Sequence, residues 1–128
     1  MSIRHNSRLI AIVDDDESVQ SALQDLIESD GLSAFCFGSA EQFLDSEARY
    51  KVMCLIADIR MPGMSGLELQ AKLKAEKSRI PIIFITAHGD DEMRNHAMRE
   101  GAVEFLTKPF NDAVLLEMVH AAVERLGK

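Results

Sequence analysis

Runs of apolar residues alternate with amphipathic stretches along the whole chain. Leu9-Ile10-Ala11-Ile12-Val13, Met53-Cys54-Leu55-Ile56-Ala57 and Ile82-Ile83-Phe84-Ile85 show no polar alternation. Strands covered on both faces have this pattern, because neither face meets water. Leu32-Ser33-Ala34-Phe35-Cys36 and Val103-Glu104-Phe105-Leu106-Thr107 are more mixed, as strands nearer a sheet edge are. Between these runs the apolar spacing becomes helical. Val19, Leu23, Leu26 and Ile27 follow i, i+4, i+7, i+8. Ser39-Ala40-Glu41-Gln42 and Ser65-Gly66-Leu67-Glu68 each read as a capping box that opens a helix. Residues 112–126 predict a longer helix with Leu115, Met118, Val119, Ala122 and Leu126 on one stripe. Residues 90–100 predict the weakest helix. Only Met93, Ala97 and Met98 supply its core face, so shallow docking and mobility are expected there. Gly31, Gly101 and Gly127 stand where helices end, as C-cap glycines do.

Five strands alternating with five helices make a βα repeat. The expected class is α/β, a single doubly wound five-stranded parallel sheet with helices on both faces. The 128 residues suit one domain, residues 1–128, with its core over residues 8–126. Apolar residues are 47% of the chain, enough for a packed interior. The net charge of −7 argues against non-specific nucleic-acid binding by this domain. No apolar stretch approaches the ~18 residues of a membrane span. The segment Met1-Ser2-Ile3-Arg4-His5-Asn6-Ser7-Arg8 leads into only a short apolar run, so no secretory signal is expected. Cys36 and Cys54 form no CxxC pattern and read as buried reduced thiols, which fits a cytoplasmic location.

The chemistry gathers where the apolar runs stop. Asp14-Asp15-Asp16 ends the first, Asp58 the third, Thr86 the fourth and Lys108 the last. If the strands are parallel, these ends share one rim, outside which open α/β sheets bind ligands. Carboxylates from two strand ends suit Mg²⁺ (or Mn²⁺), which takes a few carboxylates plus waters and phosphate oxygens. Asp16 reads as the N-cap of the helix starting near Glu17, leaving Asp14 and Asp15 for the site. The Thr86 hydroxyl can donate to a phosphoryl oxygen. The Lys108 ammonium can pair with a carboxylate or a phosphate. Pro109 restricts the chain beside it, and a cis bond before Pro109 is expected. His5, His88, His96 and His120 have no metal-ligand spacing and read as surface residues. There is no GxGxxG, P-loop or Ser/His/Asp set.

Taken in order, Ile12-Val13-Asp14-Asp15-Asp16, then Asp58 with Met61-Pro62-Gly63-Met64-Ser65-Gly66, then Thr86-Ala87, then Lys108-Pro109-Phe110 resemble the receiver domain of two-component response regulators. The resemblance covers residues 9–126. Each motif is weak alone; the four in this order and spacing are specific. The resemblance implies a flavodoxin-like (CheY-like) sheet of order 2-1-3-4-5. It implies that Asp58 is the phosphoacceptor. It implies that Asp14, Asp15 and Asp58 hold Mg²⁺, with the backbone carbonyl of Arg60 as a further ligand, and that Thr86 and Lys108 contact the phosphoryl group. The donor would be a sensor histidine kinase or a small acyl phosphate. Such a domain catalyses its own phosphotransfer and dephosphorylation and is not a turnover enzyme. Phe105 matches an aromatic switch position that is often Tyr, so no role for a phenolic hydroxyl is expected. On phosphorylation Thr86 is expected to move toward the new oxygens and Phe105 to turn inward. The face built from residues 90–126 would then change shape.

Ala87-His88-Gly89-Asp90 and Ala97-Met98-Arg99-Glu100-Gly101-Ala102-Val103-Glu104-Phe105-Leu106 look most like receivers that precede a LuxR-type helix-turn-helix domain. That resemblance implies transcription as the output. The chain reads as a receiver excised from a longer protein, without the C-terminal DNA-binding domain. A homodimer through residues 90–126 is a further expectation, which no residue pattern carries alone.

Two other readings compete. A haloacid-dehalogenase-type phosphatase would use Asp14 as nucleophile and Asp16 as general acid. It leaves Asp58 and the Met-Pro-Gly loop without a role, and 128 residues is short for that family. A flavodoxin-like cofactor binder would want a Ser, Thr and Gly-rich phosphate loop after the first strand. The loop here is acidic and repels phosphate unless a metal intervenes.

Overall fold

A computed structural model describes residues 8–87 and 89–127, the side chains of residues 125–127 excepted. The elements are β1 (Leu9–Val13), α1 (Glu17–Ser29), β2 (Ser33–Phe37), α2 (Ala40–Asp45), a 3₁₀ turn (Glu47–Tyr50), β3 (Cys54–Ala57), α3 (Gly66–Ala75), β4 (Ile82–Thr86), α4 (Asp91–Arg99), β5 (Glu104–Thr107) and α5 (Asp112–Gly127). The sheet order is β2-β1-β3-β4-β5, and every pairing is parallel. β1, β3 and β4 are buried at every position, as their unbroken apolar runs require. β2 and β5 lie at the edges and are only partly covered. This is the expected doubly wound architecture.

Side chains alternate across the sheet and feed two cores. Ala11, Val13, Leu55, Ala57 and Phe84 face α2, α3 and α4 through Phe43, Leu69 and Ala97. Ile10, Ile12, Ile56, Ile83 and Ile85 face α1 and α5 through Leu23, Ile27, Leu115 and Val119. Of the predicted stripes, Leu23 and Ile27 on α1 and Leu115, Val119 and Ala122 on α5 are buried, Val19, Leu26 and Met118 are partly buried against them, and Val123 joins the second. The side chain of Leu126, and both His5 and His88, lie outside the described residues.

Helix ends follow local chemistry. Ser65 and Glu68 form the full reciprocal capping box of α3. At α2, Ser39 accepts from the Gln42 N–H, but Gln42 accepts from Gly38 rather than from Ser39. Gly38 is the first amide past the end of β2, so the side chain satisfies a donor that the ladder leaves over. Gly31 and Gly101 adopt φ of +85° and +110° just past α1 and α4. The end of α3 is different, because Lys77 takes φ +64° where no glycine stands.

Three expectations need correction. Met98 does not face the core: it is 37% exposed, because it lies one helical step past Ala97, the buried residue of α4. Cys36 is half-buried on an edge strand, with its Sγ 3.7 Å from the Gln20 carbonyl. Cys54 is the buried thiol, and burial pushes its pKa up to about 12. His96 is exposed, but His120 is half-buried and pairs with Asp30 past the end of α1. Among the described residues, no helix is long and apolar enough to cross a membrane.

Candidate functional site

The parallel strands deliver their ends to one rim, and the backbone carries the order one residue further. Asp14 N–H donates to the Phe37 carbonyl (3.1 Å), Asp58 N–H to Val13 (3.0 Å) and Lys108 N–H to Thr86 (2.9 Å). The site residues are thus held by extensions of the sheet ladder. The Lys108–Pro109 bond is cis, as expected. Lys108 Nζ lies 3.1 Å from Asp14 Oδ2 and 3.2 Å from Asp58 Oδ2. The second oxygens take backbone donors. Asp14 Oδ1 accepts from Asp16 N–H at 2.9 Å. Asp58 Oδ1 accepts from Ile59 N–H at 2.6 Å and from Arg60 N–H at 3.3 Å. Asp14 is 2% exposed, Asp58 9% and Thr86 1%. Asp15 is exposed, yet carboxylate oxygens of Asp14, Asp15 and Asp58 lie within 4.8 Å of one another.

Charge decides what this cluster can hold. Burial raises the pKa of Asp14; the Asp16 amide and Lys108 oppose that rise without cancelling it. Burial alone would lower the pKa of Lys108, but its bond to Asp14 and the charges of Asp14 and Asp58 outweigh this and raise it. The lysine therefore stays an ammonium at neutral pH. Three carboxylates against one ammonium leave an excess of negative charge among hard oxygen donors, open to water on the Asp15 side. That donor set fits Mg²⁺ or Mn²⁺.

A stability effect follows from Asp14. Its raised pKa means that stability is lost as pH rises from the ordinary carboxylate value through the folded-state value. Asp14→Asn is therefore expected to raise Tm by about 3 °C at pH 7 in EDTA, and to lose that gain as pH falls below about 4. Thermal melts at both pH values check this; an unchanged or lowered Tm at pH 7 would contradict it.

Asp16 does not belong to the pocket. It is exposed and caps α1, accepting from Ser18 N–H (2.9 Å), Ser18 Oγ–H (2.6 Å) and Val19 N–H (3.4 Å). The hydrogen bonds from the Ser18 hydroxyl and amide lower its pKa. A general acid must keep a proton, so Asp16 is unsuited to the phosphatase role.

The Phe105 ring lies inward, 3% exposed. A Cβ placed on Gly89 would lie 2.7 Å from Phe105 Cε1 and 3.0 Å from Thr86 Cγ2, so the ring packs where that glycine leaves room. A phenyl ring has no polar tip to hold it at the surface.

Three residues to which sequence reasoning gave no part in the site support it. Gln20 Nε2 donates to the Asp14 carbonyl at 2.7 Å. Gly66 packs on the Asp58 carbonyl, and a Cβ there would fall on that oxygen and 2.9 Å from Ile59 Cα. Glu41 accepts from Met64 N–H in the loop after Asp58, at 3.0 Å. The glycines of that loop were visible; nothing marked Gln20 or Glu41 beyond their helices.

Known proteins share this fold. The profile of the response regulator receiver domain matches residues 10–120. The chain is 48% identical over 125 residues to the response regulator protein TodT of Pseudomonas putida, covering 95% of this chain and 55% of TodT. It is 39% identical over 116 residues to the transcriptional regulatory protein FixJ of Bradyrhizobium diazoefficiens, covering 91% of this chain and 57% of FixJ. It thus spans about half the length of the curated relatives it matches. The solved response regulator StyR superposes with a TM-score of 0.87 at 43% identity, over 94% of this chain and 61% of StyR. The FixJ-N crystal structure superposes with a TM-score of 0.81 at 41% identity, over 91% and 94% of the two chains. With the sheet order, the acidic rim and these matches in agreement, the chain belongs to the response regulator receiver domain family.

Proposed function

We propose that this chain is a Mg²⁺-dependent phosphoacceptor that takes a phosphoryl group onto Asp58. The observation that carries the reading is the single ammonium of Lys108 set against both Asp14 and Asp58 at a buried rim. The donor is the phosphohistidine of a sensor histidine kinase or a small acyl phosphate. A carboxylate oxygen of Asp58 attacks phosphorus, and the bond from phosphorus to the leaving group breaks. Lys108 stabilises the charge spread over the transferring oxygens, and the Thr86 hydroxyl donates to one of them. Bound Mg²⁺, held by Asp14, Asp15, Asp58 and the Arg60 carbonyl, supplies further neutralisation of that charge. Water later removes the phosphoryl group.

Phosphorylation replaces one carboxylate charge with about −1.5 to −2. Thr86 then turns toward the new oxygens and leaves the Phe105 ring without one of its walls. α4 is the element that yields, since Ala97 is its one buried residue among those described. The shift is a change of population between two packings. The face of α4, β5 and α5 passes it on, through a homodimer or an output domain. The likeness to a transcriptional regulatory protein favours transcription as the output, in a cytoplasmic setting.

Intact-protein mass after incubation with acetyl phosphate and Mg²⁺ tests the reading, beside Asp58→Asn and an EDTA control. One added phosphoryl group that needs both Asp58 and Mg²⁺ is the expected result. No adduct, with free phosphate accumulating through Asp14, would overturn it.

A further inference from the structure

The loop of residues 58–66 is fixed at both ends. Ile59 and Arg60 donate to Asp58 Oδ1 at one end. At the other, Gly66 N–H donates to the Ile59 carbonyl at 2.8 Å. Its middle depends on Glu41, in the first turn of α2. Glu41 Oε2 accepts from Met64 N–H at 3.0 Å. The same carboxylate lies flat against Gly63, where a Cβ would sit 2.8 Å from Oε2 and 3.5 Å from Oε1. Gly63 has φ +76°, so the loop passes Glu41 in a backbone form that favours glycine.

The platform under Glu41 is firm. Phe43 of α2 is fully buried and packs edge-on to Phe37, with ring centroids 5.5 Å apart. Phe37 in turn accepts the Asp14 N–H. The contacts close a ring around the pocket. It runs from Asp14 to β2, through α2 to Glu41, across to Met64 and along the loop to Asp58.

We propose that Glu41 is a positioning residue for the phosphoacceptor, holding the loop that orients the Asp58 carboxylate and carries the Arg60 carbonyl, and so setting the affinity of the site for a divalent cation. The proposal rests on the phosphoacceptor reading above. Glu41 is exposed, so its removal leaves the core intact. Its charge also adds to the acidic rim, so position and charge must be separated. Glutamine does this, keeping an acceptor oxygen and dropping the charge.

The test titrates Mg²⁺ into the full isotope-labelled chain as wild type, Glu41→Ala and Glu41→Gln, read by amide shifts. Hydrogen exchange of the Ile59, Arg60 and Met64 amides in metal-free buffer reads the loop itself. Glu41→Ala is expected to weaken Mg²⁺ binding by about 10-fold and to speed exchange at all three amides. Glu41→Gln is expected to stay within about threefold of wild type, since the hydrogen bond survives. The proposal is overturned if Glu41→Ala binds Mg²⁺ as tightly as wild type. It is equally overturned if Glu41→Gln is as weak as Glu41→Ala, because charge alone would then explain the loss. A wild type that gives no response to Mg²⁺ overturns the metal reading itself, and is told apart because it precedes any substitution.

Discussion

Lys108→Ala is expected to slow labelling of Asp58 by acetyl phosphate by about 100-fold or more, the usual loss when one fixed donor to a developing charge is removed. The ammonium is the sole cation recorded against Asp14 and Asp58 among the described residues, and it touches both. Without it, two buried carboxylates face each other uncompensated. The fold should therefore also weaken at neutral pH in EDTA, by about 1–2 kcal/mol after allowance for the partial exposure of the lysine. The sign with pH is specific. Loss of the lysine removes the partner that holds the Asp14 pKa down, so the penalty is largest at neutral pH and shrinks on acidification as Asp14 takes up a proton. Mg²⁺ should restore more stability to Lys108→Ala than it adds to wild type, since it replaces the missing positive charge. Lys108→Arg keeps the charge but presents a planar fork in place of a compact ammonium. It should retain most of the stability and lose most of the rate. Melts with and without Mg²⁺, beside labelling rates, check all of this. Equal melting of wild type and Lys108→Ala at pH 7 would remove the charge argument.

Gly66→Ala is expected to destabilise the chain by about 3 kcal/mol, a large overpacking effect. Helix propensity alone predicts the opposite sign, since alanine is better than glycine inside a helix by about 1 kcal/mol. Geometry decides against propensity. The new Cβ would fall on the Asp58 carbonyl oxygen, 2.9 Å from Ile59 Cα and 3.1 Å from the Asp58 carbonyl carbon. All three are backbone atoms and cannot rotate aside. The loop must open, and the Asp58 carboxylate moves with it. Urea or thermal unfolding measures the loss, and the labelling rate should fall in the same variant. A neutral or stabilising result would mean that the loop is looser than its contacts imply.

How far the chain could be read before its structure depended on where the information lies. The central strands were legible because each is a short stretch that cannot tolerate a polar residue on either face. Asp14, Asp58, Thr86 and Lys108 were legible as a group because a parallel sheet sends strand ends to one rim. Glu41 and Gln20 were not, because each acts by meeting a backbone group distant in the chain or hidden in a loop. The Met98 error arose from a helix with so few apolar residues that the stripe had two reasonable placements. The orientation of Phe105 depended on the missing side chain of Gly89, a contact between a loop and a strand that no periodicity encodes.

Asp14 and Lys108 touch across 94 residues of sequence. The acidic partners are made early in synthesis and the ammonium that balances them comes near the end. A growing chain that has passed Asp58 but not β5 carries Asp58 and two neighbouring carboxylates without their counter-charge. β5 is also an edge strand, joined to the sheet through β4 alone. Completion of the sheet and completion of the site are therefore one event. On the phosphoacceptor reading, a chain that stops short of Lys108 lacks the ammonium that phosphoryl transfer calls on.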